Sequence, residues 1–231
     1  VHEALRWSAD GHGVVHEVFA VTVPEDLAAL AARAGVPVSA VTERAAAGLS
    51  ETVTPQGIVA VCDLVDVPLA DALAGSPRLV AVLAGVADPG NAGTVLRVAD
   101  AAGADAVILA GHAVDPHNGK CVRASTGSLF HLPVARAGVE ETLAACRAAG
   151  LRLVAADGHA GDDITAEAGL AEPTAWVFGS EAHGLPADVV ARLDRSLRVP
   201  VYGAAESLNL GTAAAVCLYA TAWRQRAPGA R

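Results

Sequence analysis

"RLVAVLAGVADPGNAGTVLRVADAAGADAVILAG", residues 78–111, decides the fold class. It opens on an apolar run over 78–86 and continues as a helix of small apolar residues over 91–103 to a glycine stop at Gly103. A second apolar run follows at 105–111. Strands with no polar alternation are buried on both faces, and strand–helix–strand units of this length are the crossovers of a parallel sheet. The alternation continues to the C-terminus. Apolar runs at 132–136, 151–156, 175–179 and 196–200 alternate with helices at 139–150 and 186–194, and a long apolar helix closes the chain at 207–226. This pattern predicts a mostly parallel α/β sheet covered on both faces.

The stretch ahead of it is smaller and of different composition. Residues 18–23 read as a strand, and 24–35 as a helix that opens on Pro24 and two acids and stops at Gly35. "VSAVTERAAAG" repeats the helical pattern with Ser39 as its predicted cap, and 57–64 is a further strand. The initial "VHEALRW" reads as a helix with no strand before it, so this α/β unit is expected to be incomplete at its start. The predicted organisation is a small α/β domain over 1–63, a linker with a short helix over 64–77, and a larger domain over 78–231.

Composition narrows the function classes. The 231 residues are 53% hydrophobic and 18% charged, enough for a substantial core. No run approaches the ~18 to 20 apolar residues of a membrane span, and the start has no basic segment followed by an apolar one. A soluble, cytoplasmic protein with no membrane partner is expected. Cys62, Cys121, Cys146 and Cys217 are dispersed with no C-x-x-C pair, which reads as buried thiols with neither metal nor redox role. Net charge is −9, which opposes simple electrostatic capture of nucleic acid. The charge is uneven: residues 1–75 hold three arginines against ten acids, and residues 76–231 hold 13 basic residues against 15 acids.

An α/β sheet binds ligands at the carboxyl ends of its strands. The glycines after the first long strand, Gly85, Gly90 and Gly93, do not fit G-x-G-x-x-G, which removes a nicotinamide dehydrogenase, and neither a phosphate-binding P-loop nor a G-x-S-x-G elbow occurs. Unusual polar residues cluster elsewhere. Asn91 and Arg97 lie on an otherwise apolar helix, as N-cap and solvated charge or as site residues. "GSEAHGLP" holds Ser180, Glu181 and His183 between Gly179 and Gly184, as an ordinary glycine-rich loop or as a ligand turn. Ser207 and Asn209 stand at the mouth of the last helix, with Ser207 as a cap or as a site residue.

These three segments, in this order, resemble the three motifs of the SpoU/TrmH family within the SPOUT methyltransferases. The first motif resembles 91–109, the second 176–186 ("WVFGSEAHGLP") and the third 197–219, and "DPHNGKCVRASTGSLFHLPV" (115–134) also resembles the family. The resemblance implies a SPOUT-type parallel sheet with a C-terminal deep trefoil knot, an exception to the rule against knots. It implies S-adenosylmethionine as methyl donor with no metal, and a pocket lined by Ala155, Gly179, Ser180, Glu181, Gly184, Val199 and Leu208. It implies a homodimer through the knot region and last helix, with the catalytic set Asn91, Arg97, Glu181, Ser207 and Asn209. Lys120, Arg123 and Ser125, read as a polar loop, are expected to meet RNA. "TPQGIVAV" (54–61) resembles the end of the family's small substrate-binding domain.

The implied reaction is methylation of a ribose 2′-hydroxyl in RNA, ribosomal RNA first and transfer RNA second. SPOUT relatives also methylate guanine N1 or uridine N3, and a non-catalytic RNA-binding protein is the alternative from another class. The N-x-G…R helix (91–97) and the "SLN" motif (207–209) favour 2′-O transfer, and the set Asn91, Arg97, Glu181 and Asn209 argues against the non-catalytic alternative. Arginine stays protonated, with a pKa above ~12, so Arg97 is expected to clamp a phosphate and stabilise developing charge. Proton removal then falls to Glu181, water or a phosphate oxygen.

Overall fold

The computed structural model describes residues 1–50, 52 and 54–227. They form two compact units, Val1–Val65 and Asp66 onward.

In the first unit, β1 (Val15–Ala20) is the middle of three strands. It pairs parallel with β2 (Val38–Ala40) and antiparallel with β3 (Ile58–Cys62). Helices α1 (His2–Trp7), α2 (Glu25–Ala34) and α3 (Glu43–Leu49) complete it, and Leu5, Val18 and Leu27 are fully buried. Helix α2 ends where expected, on Gly35 in the left-handed conformation. Ser39 is not a helix cap. It lies in β2 and donates to Glu17, and Thr42 caps α3 by accepting the Ala45 N–H. The β-branched Val38 and Val41 around Ser39 favour extended backbone, which moves the helix start three residues on.

The second unit holds seven parallel strands: β4 (Leu79–Ala84), β5 (Ala106–Ala110), β6 (Val134–Ala137), β7 (Arg152–Ala156), β8 (Asp162–Asp163), β9 (Thr174–Phe178) and β10 (Arg195–Arg198). Their order is β6-β5-β4-β9-β7-β10-β8. Helices α4 (Leu69–Ala72), α7 (Val139–Ala148) and α8 (Ala187–Val190) flank one face, whose core includes Val80, Val82, Ile108, Leu143 and Val177. Helices α5 (Pro89–Ala102), α6 (Gly119–Ser125) and α9 (Leu210–Gln225) belong to the other. There Trp176 is fully buried in β9, and its Nε1 donates to Thr221 Oγ1 of α9 at 2.9 Å. Ala72 and Leu73, inside the segment expected as a linker, belong to the core, and Val67 N–H donates to Val134 O.

Burial pushes the thiols of Cys121, Cys146 and Cys217 up to about 11, 12 and 12, so all three stay protonated near neutral pH. Among the described residues no helix is long and apolar enough to cross a membrane.

Candidate active site at the junction of β4 and β9

From β4 the chain crosses by α5 to β5 on one side, while β9 pairs with β4 on the other. Such a reversal of strand order opens a crevice at the carboxyl ends. Leu83 is in register with Phe178, so the turns after these two strands rise side by side.

Asp88 caps the first of these helices. Its Oδ1 accepts the Asn91 N–H at 2.8 Å, and Pro89 follows it, where a missing N–H costs nothing. Asn91 is therefore not the cap but stands in the first turn with its side chain free to point outward. Asn91 Nδ2 donates to Glu181 Oε1 at 2.8 Å, and Asn91 Oδ1 accepts from Asn209 Nδ2 at 3.0 Å. Asn209 in turn caps α9, its Oδ1 accepting the N–H groups of Gly211 and Thr212. One amide thus joins three segments that lie 90 and 118 residues apart in sequence.

Glycines let the backbones come this close. At Gly93 an added Cβ would stand 2.4 Å from Cys121 O and 2.6 Å from Ala124 Cβ, so α6 packs directly on the α5 backbone there. In the β9 turn, Ser180 and Gly184 exchange both backbone hydrogen bonds, at 3.1 and 2.8 Å. A Cβ on Gly179 would meet Gly184 C at 2.2 Å. The turn is folded flat onto itself, and Glu181, Ala182, His183 and Gly184 are exposed.

The other expected site residues divide. Arg97 is six residues beyond Asn91 on α5, which at about 100° per residue is roughly 120° around the helix and about 9 Å along it. It is exposed, and its side chain makes no hydrogen bond or ion pair among the described residues. Ser207 is exposed and does not cap α9, because Asn209 does. Val199 is half-buried and Leu208 is exposed, both on the irregular segment between β10 and α9. Ala155 has 0% exposure and is in register with Val177 and Ser196 on its two sides, so it belongs to the sheet and not to the rim.

The expected polar loop at 115–131 is in part helix α6, capped by Asn118, whose Oδ1 accepts the Lys120 N–H. Lys120 Nζ reaches back to Asp88 Oδ2 at 2.8 Å, and Arg123 is exposed with no side-chain partner among the described residues. Ser125 is corrected as an RNA contact: it is fully buried and its hydroxyl donates to Val122 O. Asp88 escaped the sequence reading, although an acid directly before Pro at a helix start is a cap signal. The Lys120 ammonium, and after it the Asn91 N–H, holds the Asp88 carboxyl below the usual carboxylate range.

A family model described as the SpoU rRNA methylase family matches residues 78–219, which contain all three joined segments. The chain belongs to the SpoU rRNA methylase family. A second model, for RNA 2′-O ribose methyltransferase substrate binding, matches residues 1–67. Among curated SpoU relatives, the 23S rRNA (guanosine(2553)-2′-O)-methyltransferase RlmP of Bacillus subtilis (strain 168) is 36% identical over 222 residues, covering 95% of this chain and 84% of the relative. The 23S rRNA (guanosine-2′-O-)-methyltransferase RlmB of Bordetella pertussis is 33% identical over 202 residues, covering 85% and 81%. The solved structure of an AdoMet-bound rRNA methyltransferase from Sinorhizobium meliloti superposes with a TM-score of 0.83 at 32% identity, covering 97% of this chain and 85% of that one.

The SpoU turn of this chain fits such a cofactor. A Cβ added at Gly184 would meet nothing within 4 Å, so the exposed backbone there is open, and the half-buried Val199 and exposed Leu208 are apolar. A ligand gripped by main-chain groups and covered by aliphatic side chains suits that lining.

Proposed function

We propose that this chain transfers a methyl group from S-adenosylmethionine to the 2′-hydroxyl of one ribose in 23S ribosomal RNA. The observation that carries the reading is the Asn91 amide, bonded at once to Glu181 and Asn209. The 23S RNA is favoured over transfer RNA because curated relatives that cover 95% and 85% of this chain are named for it.

In this reading Gly179, Ser180, Glu181, Gly184, Val199 and Leu208 hold the cofactor, and Ala155 supports them from within β7. The cofactor supplies an electrophilic methyl group on a sulfonium. The chain supplies position and charge. Arg97, unpaired and planar, clamps an RNA phosphate and stabilises negative charge on the 2′-oxygen. Asn91 orients Glu181 through Oε1, and Glu181 Oε2, with no partner among the described residues, accepts the 2′-hydroxyl proton. Ser207 orients the ribose, Asn209 holds Asn91, and Lys120 and Arg123 meet RNA phosphates.

Residues 1–63 form the domain that grips RNA, 64–77 the connection, and 78–231 the methyltransferase with its trefoil knot. Support for the knot is the late strand β10, inserted between β7 and β8, after which the chain leads to α9. The protein acts in the cytoplasm as a homodimer. Val216, Tyr219 and the 69% exposed Trp223 of α9 border an apolar groove of about 830 Å³ with Ile164 and Leu170, which suits a second copy.

The test is incubation of 23S rRNA with labelled S-adenosylmethionine, followed by nucleotide mapping. Label on a single ribose 2′-oxygen is the expected result. Label on a base, or none, overturns the reading.

A further inference from the structure

Helix α5 begins on a carboxylate that is engaged twice. Asp88 Oδ1 accepts the Asn91 N–H at 2.8 Å, and Asp88 Oδ2 accepts Lys120 Nζ at 2.8 Å. Only this carboxylate lies between the Lys120 ammonium and Asn91, whose amide carries Glu181 and Asn209. Gly90 lies beneath the pair, where a Cβ would stand 2.8 Å from Asp88 Oδ1 and 3.0 Å from Lys120 Cε. The ion pair is therefore seated on bare backbone.

A lysine ammonium has three N–H donors. One is engaged by Asp88, and two stay available to a phosphate. The side chains of Lys120 and Asp88 are 57% and 43% exposed, so RNA can reach the ammonium without first opening the protein. A lysine on a free four-carbon stem binds a phosphate anywhere within its reach. A lysine held by a carboxylate on the helix that also carries Asn91 binds it at one place.

We infer that Asp88 is a positioning residue of the methyl transfer: it holds the Lys120 ammonium at a set distance from Asn91, so that the RNA phosphate bound there brings the target ribose into register with Glu181 and Asn209. This rests on the proposed transfer to RNA. Asp88 touches neither cofactor nor substrate and acts through Lys120 and Asn91.

The test is Asp88→Asn. Asparagine caps a helix about as well as aspartate, so α5 keeps its start, while the charge that holds Lys120 is lost. With 23S rRNA and labelled S-adenosylmethionine, kcat is expected to fall about ten- to a hundredfold, the scale of a misplacement near 1 Å. The KM for RNA stays the same or falls, because an unpaired Lys120 attracts phosphate more strongly. The melting temperature and S-adenosylmethionine affinity match the parent. Adding Lys120→Gln to Asp88→Asn lowers kcat no further, since both act through one contact. A parental kcat in Asp88→Asn reduces Asp88 to a helix cap and overturns the inference while methyl transfer stands. A raised KM with parental kcat overturns it equally, leaving only a binding effect. A parent chain that methylates no RNA overturns the inference together with the function on which it rests.

Discussion

The N-terminus of α5 and Arg97, near its middle, make opposite use of polar side chains. At its N-terminus each polar side chain is bonded: Asp88 to Lys120 and to the backbone, and Asn91 to Glu181 and Asn209. Two turns further on, Arg97 is exposed and bonded to nothing among the described residues. The first region is organised before any ligand arrives, so its loss disturbs protein and reaction together. The Arg97 side chain makes no hydrogen bond or ion pair among the described residues, so its loss disturbs the reaction alone.

The largest expected effect sharpens that contrast. Arg97→Ala lowers kcat by about 10²- to 10³-fold, the range for removing one preorganised donor to developing charge, with an unchanged melting temperature. Arg97→Lys recovers only part of this, because lysine lacks the planar fork. Near-normal turnover of Arg97→Lys in single-turnover kinetics removes the clamp. Asn91→Ala comes next: kcat falls by about 10²-fold because Glu181 and Asn209 lose their common partner, and two exposed hydrogen bonds at about 0.5–1.5 kcal/mol each leave the fold. Thermal melting that stays at the parental value breaks the distinction between the two regions.

Gly93→Ala should affect stability more than chemistry. Its Cβ meets backbone and side chain of α6 below 3 Å, and overpacking of this kind costs about 1–3 kcal/mol, or roughly 2–4 °C per kcal/mol in a unit of this size. Differential scanning calorimetry reads it directly. The smallest effect is that of acid on Asp88. Its carboxyl is held below its ordinary value of 3.8, so the stability it contributes is complete above that pH and is lost as pH falls through the lower value of the folded state. The group is exposed and its pair weak, so the loss is slight and shrinks with salt. Acid titration of Asp88→Asn beside the parent isolates it, and identical curves show that the pair adds nothing.

Much of the architecture was legible because buried parallel strands are written as continuous apolar runs. The runs at 78–86, 105–111 and 175–179 hold β4, β5 and nearly all of β9. Strand order was not legible, since nothing in 174–178 states that it pairs with β4. The two-residue β8 gave no signal because Asp162 and Asp163 are poor strand formers, held there by pairing with β10. At the site, Asn91, Glu181 and Asn209 stood out as polar residues in apolar or glycine-rich settings, but only the fold shows that they touch. Asp88 was not singled out, and Ser125 was expected to meet RNA. Asp88 needed Lys120 folded back over it, and Ser125 needed the close approach of α5 and α6, before either could be read.

The span of the Asn91 amide bears on when the protein becomes active during synthesis. Its two partners emerge from the ribosome 90 and 118 residues after it. The entropy of closing so long a loop grows only slowly with length, so distance is no thermodynamic obstacle. It is a matter of timing. At the ~5–20 residues per second of translation, Asn91 waits several seconds or more for Asn209. A chain cut short before Asn209 carries at most two of the three segments and no assembled centre. Methyl transfer is thereby withheld from fragments, and the same ribosomal machinery whose RNA the enzyme is proposed to modify must finish the polypeptide before that modification can begin.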